Sequence, residues 1–211
     1  MPHDKTIMSH IPKAKLASET AVSSTPRPSL RQRVAAAILD AAAEVLAVRG
    51  DQASMSDVAA AAGVARATLY RYFPSRDALL DELARVGVRE AAGQFAGASL
   101  AKVPASEGLV RAVRALVAVG DYFVLLHRGR GRAGPGEYER TIGAPLREIL
   151  ERGQASGEFR EDVHAGWLAE ALAGLVVSVL VATPEVGVED RVAAITGLFL
   201  DGVRIDSAPD G

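Results

Sequence analysis

The run VAAAAGVARATLYRYFPSRDALL, residues 58–80, consists of two short helical patterns parted by Gly63 and closed by Phe73-Pro74. Just upstream, Ser54-x-x-Asp57 has the form of a capping box and opens a helix expected to reach residue 62. Gly63 supplies the turn and Val64 an apolar plug, and a second helix is expected over 65–72. Leu69 and Phe73 stand four apart, so they share one face and pack inward with Val58, Ala59 and Ala62. Ala59 is small enough to let the two helices approach closely. Arg66, Ala67, Tyr70 and Arg71 are left pointing outward, with Thr68 and Tyr72 on the flanks. Together with a preceding helix over 30–49, this describes a helix-turn-helix. An outward arginine can bond guanine O6 and N7 with two donors, and threonine offers a hydroxyl and a methyl to thymine. Tyrosine hydroxyls and Arg76 suit phosphate contacts, which hold register without reading sequence.

The pattern extends in both directions. In the first helix Val34, Ile38, Ala41, Val45 and Val48 are expected to line the core face, with Asp40 and Glu44 opposite and Gly50 as the stop. Residues 1–29, rich in Ser, Thr, Pro and Lys, read as a disordered arm. Lys5, Lys13, Lys15, Arg27, Arg31 and Arg33 give it charge for phosphate or minor-groove contact, although a floppy tail is the plainer reading. Downstream, helices are expected over 75–93, 105–127, 137–154, 163–182 and 189–204, with the loop RGRGRAGPG at 128–136. No alternating strand pattern is present. The fold class is therefore all-α. It divides into the arm, a helix-turn-helix domain over 30–76, a helical effector-binding and dimerisation domain over 77–205, and a tail over 206–211.

Composition narrows the function. Residues 1–90 carry 12 Lys and Arg against 10 Asp and Glu, whereas 91–211 carry 12 against 16. A mildly basic front on an acidic rear fits DNA contact at one end. There is no cysteine, which removes disulfides, thiol nucleophiles and cysteine metal sites. The four histidines (3, 10, 127, 164) lack metal-ligand spacing, and no Gly-x-Ser-x-Gly elbow or Walker spacing is present. Neither an enzyme, a metal nor a cofactor is indicated. No uninterrupted apolar stretch of about eighteen residues occurs, so no membrane span is expected, and the N-terminus lacks the apolar run of a secretory signal. A cytoplasmic protein is expected.

The motif residues Val58-Ala59, Ala62-Gly63-Val64, Thr68-Leu69-Tyr70, Tyr72-Phe73 and Ser75-Arg76-Asp77-x-Leu79 resemble the signature of the TetR family of bacterial transcription regulators. The stretch ILDAAAEVLAVRG, residues 38–50, resembles that family's first helix. Two positions depart from the pattern: Ala65 replaces a small hydroxyl residue that caps the recognition helix, and Arg76 replaces a lysine. The resemblance implies base or groove contacts from Arg66, Thr68 and Tyr70, and backbone contacts from Ser54, Arg71, Tyr72 and Arg76. It also implies a homodimer on a palindromic operator, acting as a repressor and released by a small-molecule effector.

For the rear half the resemblance implies pairing of the last two helices with their mates. Ala171, Gly174 and Ser178 form a small-residue seam suited to this, beside Leu168, Leu172, Leu175 and Val179. Ile195, Leu198, Phe199 and Gly202 offer the second helix's share. An effector pocket is expected among Phe95, Tyr122, Phe123, His127, Tyr138 and Trp167. The alternative is a DNA-binding module without an effector, whose rear domain meets a protein partner.

Overall fold

The computed structural model describes residues 29–183 and 185–204. The arm over residues 1–28, most of its basic side chains and the tail over 206–211 lie outside the described residues. Within them the order is α1 (Leu30–Arg49), α2 (Met55–Ala61), α3 (Arg66–Tyr72), α4 (Arg76–Ala98), α5 (Ala105–Val119), α6 (Asp121–Arg128), α7 (Ala144–Ala155), α8 (Ala165–Ala182) and α9 (Val188–Val203). The all-α class is as expected. The strand-like element among the described residues is an isolated bridge between Phe159 and Arg204.

α1 starts at a capping box: the Ser29 hydroxyl accepts from the Gln32 backbone, and the Gln32 side chain accepts from that of Ser29. Its buried face differs from expectation. Ile38, Leu39, Ala42, Ala43, Leu46 and Ala47 are buried, whereas Val48 is exposed. The helix is apolar on several sides, and its core face is turned from the line through Val34, Ala41 and Val48.

A single helix over 105–127 is also corrected. Gly120 adopts φ 60° and ψ −130°, a backbone that L-residues rarely enter, and this divides α5 from α6. The expected helix over 137–154 begins instead as a π turn, Glu139–Gly143, before α7.

Two apolar clusters result. The front one joins Ile38, Leu46, Val58, Ala59, Leu69, Phe73, Leu79 and Leu83. The rear one is built on Leu109, Leu116, Phe123, Leu146, Leu172, Val176 and Ile195. α4 belongs to both, giving Leu79, Leu83 and Val86 to the front and Ala84, Ala91 and Phe95 to the rear. A Cβ at buried Gly87 would stand 3.0 Å from the backbone oxygen of Tyr122, so glycine is what lets α4 lie directly on α6.

α8 is long and apolar enough to cross a membrane by length and composition, although Glu170 interrupts its apolar run. It packs against α6, α7 and α9 through Leu168, Leu172, Val176 and Leu180, and 39% of it is buried inside the chain.

Candidate nucleic-acid interface

The α2–turn–α3 unit is fixed by local chemistry. The Ser54 hydroxyl accepts from the Asp57 backbone and donates to its carboxylate at 2.6 Å, while that carboxylate accepts from the Ser54 backbone at 2.8 Å. These bonds from Ser54 hold the Asp57 carboxyl below its ordinary pKa. Gly63 has φ 65°, and the Val64 amide then returns to the carbonyl of Ala59 at 3.0 Å. This return closes the turn and starts α3 at a defined angle to α2. Leu69, fully buried, and Phe73 anchor α3 on Val58 and Ala59.

Anchoring one face leaves the other to solvent. Arg66, Ala67, Tyr70 and Arg71 are exposed, and Thr68 and Tyr72 are partly covered. Arg31 and Arg71 each lie 5.8 Å from the centroid of the Tyr72 ring, so α1 adds a cation beside the end of α3. Ala65 at the N-cap makes no side-chain cap bond.

Ser54 is exposed, yet its hydroxyl is engaged with Asp57. Arg76, expected at the phosphate backbone, is engaged within the chain. Its guanidinium donates to the carbonyls of Ala53 and Gly50 and faces Asp51 at 3.7 Å. It braces the loop between α1 and α2, a long-range contact that sequence spacing does not reveal.

The expected pocket residues separate into three groups. Phe123, His127 and Tyr138 pack together, with ring centroids 5.8 and 5.7 Å apart. Phe95 is buried in the same rear core. Tyr122 turns toward α1, where its hydroxyl donates to Asp40 at 2.8 Å, and it borders a cleft with Ala35, Leu39 and Val86. Trp167 is 76% exposed on the outside of α8 and lines no interior space with the others.

The expected interface residues also divide. Ala171 and Ser178 are exposed and Gly174 is partly so, with open space where its Cβ would stand. Ile195 and Phe199 are buried in the chain's own core, and Leu198 between them is 68% exposed. α9 is apolar on both sides, and its inward side is the one through Ile195 and Phe199.

The loop after α6 reads Gly129-x-Gly131-x-x-Gly134, a dinucleotide-fingerprint spacing. It follows a helix and not a strand, so it lacks the context in which that spacing cradles a pyrophosphate.

A helix locked by Leu69 and Phe73, presenting Arg66, Tyr70 and Arg71 beyond a tight turn, defines a helix-turn-helix DNA-binding transcription regulator. Residues 38–83 match the model of the bacterial regulatory proteins of the tetR family. The HTH-type transcriptional repressor LfrR of Mycolicibacterium smegmatis is 54% identical over 55 residues, 26% of this chain and 29% of that protein. That alignment spans less than a third of the repressor's length. The uncharacterised HTH-type transcriptional regulator YvdT of Bacillus subtilis is 29% identical over 152 residues, 66% of this chain and 76% of that one. The crystal structure of LfrR from Mycobacterium smegmatis in complex with proflavine superposes with a TM-score of 0.65 at 28% identity, covering 84% of this chain and 99% of that one. Over residues 38–83 the chain therefore carries the helix-turn-helix of the tetR family, on a fold similar to that of TetR-like regulators.

Proposed function

We propose that this regulator is a cytoplasmic repressor that binds a palindromic operator as a homodimer and is released by a small-molecule effector. The outward face of α3 carries the reading: Arg66, Thr68 and Tyr70 take the bases, while Arg71, Tyr72 and Arg31 take the phosphates. A helix of seven residues covers little DNA, and a two-fold pair doubles the contact. α8 supports the pairing, because a helix so apolar and so partly buried needs a second cover. Trp167, Ala171, Ser178 and Leu198 lie exposed on α8 and α9 for that purpose. The effector role is supported by the likeness to LfrR, a repressor crystallised with proflavine. The related proteins are regulators, which favours a binding role over catalysis.

Selection from a random duplex library tests the proposal. The protein should enrich a palindrome, and an Arg66→Ala, Arg71→Ala double variant should lose the enrichment while keeping its helical content. Retention of DNA without any symmetric motif would rule out the dimeric reader.

A further inference from the structure

Three alternating arginines, Arg128 at the end of α6 and Arg130 and Arg132 in the turn after it, hold different parts of the molecule. Arg128 donates to the carbonyl of Ala47 in α1 at 2.8 Å. Arg132 reaches Asp81 and Asp77 on α4 at 3.0 and 3.2 Å. Arg130, between them, engages the rear core instead. Its guanidinium lies 4.6 Å from the centroid of the Tyr138 ring and donates twice to Glu170, at 2.9 and 2.6 Å. Its Nε donates to the His127 carbonyl at 3.3 Å. The His127 Nδ1 is in turn 2.7 Å from the Tyr138 hydroxyl, which fixes the ring beneath the cation.

An aromatic face, a carboxylate and a carbonyl gathered around a flat delocalised charge are the groups that recognise such a cation in any ligand. Here the cation belongs to the chain, and it rides between Gly129 and Gly131 on a turn. Its counterparts are more firmly held: Tyr138 is buried and Glu170 stands on α8. Arg130 and Glu170 side chains are 40% and 50% exposed, so the pair is accessible to solvent. We propose that Tyr138, Glu170 and the His127 carbonyl form a binding site for a planar organic cation of the amidine or guanidine class, which Arg130 occupies until such a ligand replaces it. An anion would have to draw Arg130 away from a two-bond partner and would meet the Glu170 charge. Burial, and then the charge of Arg130, hold the His127 pKa below its ordinary value, so its imidazole adds no cation to oppose the ligand.

The proposal gives the effector a chemical class and rests on the regulator reading above only for its consequence at DNA. Displacing Arg130 moves the turn whose neighbours Arg128 and Arg132 grip α1 and α4. Coupling follows if the ligand prefers the displaced arrangement.

Benzamidine, benzamide and benzoate share one shape and differ in charge, so they make a matched set of probes. Calorimetric titration into the full-length protein should show benzamidine binding best. Arg130→Ala should tighten benzamidine about tenfold by removing the internal competitor, and Glu170→Gln should remove most of the binding in either background. Equal benzamidine affinity with and without Arg130, or tighter binding of benzoate, overturns the proposal. Thermal melts check that the variants are folded, and Arg130→Gln serves in place of Arg130→Ala if the latter is not. DNA retention is read separately. Benzamidine that binds as expected but leaves DNA retention unchanged supports the site and removes its regulatory consequence alone.

Discussion

The hydroxyl of Tyr122 in α6 donates to the carboxylate of Asp40 in α1 over 2.8 Å, joining the reading head to the rear body. Burial first, and then the Asp40 bond, push the Tyr122 phenol above its ordinary pKa, so it remains a donor through the neutral range. Replacing Tyr122 with Phe deletes this bond and keeps the ring. The expected cost is about 1 kcal/mol, the usual net worth of one hydrogen bond, read as a lower urea midpoint with an unchanged slope. Amide exchange in α1 should quicken at the same time. An unchanged midpoint together with unchanged exchange would mean that the contact does not hold the head.

Ala65 offers a gain in stability. It stands at the N-cap of α3 with φ −67° and ψ 146°, a backbone that serine adopts freely, and nothing caps the helix. Ala65→Ser should add about 1 kcal/mol, seen as a higher melting temperature. A melting temperature equal to that of the parent would show that solvent already satisfies those amides.

Much of the head was legible in the residues themselves, because Ser54, Gly63, Leu69 and Phe73 act through local spacing. Ser54 caps its own helix, Gly63 takes its own turn, and the Leu69–Phe73 interval fixes one face. What escaped depends on distant partners or on degenerate patterns. Alanine and valine surround α1 so evenly that periodicity alone did not orient it, and α9 hides the same ambiguity at Leu198 against Ile195 and Phe199. Gly120 sits in an otherwise continuous helical pattern, so the break was masked. The position of Arg76 suggests phosphate contact, whereas the carbonyls it meets are more than twenty residues away and leave no local signal.

The exposed face of α8 and α9 gives a third prediction. Leu198 projects from the chain at 68% exposure with Trp167 at 76%, and a stable pair would cover both. Leu198→Glu places a charge where that cover would lie. The variant should elute at the mass of one chain with its helical signal intact, and its library enrichment should fall. Elution as a dimer would place the interface elsewhere.

Glu158 supplies a pH-dependent contribution at the start of α5. Its two carboxylate oxygens accept from the backbone amides of Ala105 and Ser106 at 3.1 and 2.9 Å, so a residue 53 positions from Ala105 in sequence caps α5. The Ser106 amide foremost holds the carboxyl below its ordinary value of 4.5; burial opposes it, and the Ala105 amide and the Ser106 and Ser156 hydroxyls add to the lowering. A depressed carboxyl stabilises the fold only while ionised. Its contribution is complete above the unfolded value and disappears as pH falls through the lower folded one. Glu158→Gln should therefore cost stability at pH 7, about 0.5–1 kcal/mol given solvent screening around a partly exposed cap. The gap between parent and variant should close on acidification from about pH 5 downward, because protonated glutamate and glutamine then present similar groups to α5. Denaturant midpoints taken across that range give the comparison. A gap that stays constant with pH would assign the loss to packing instead of charge.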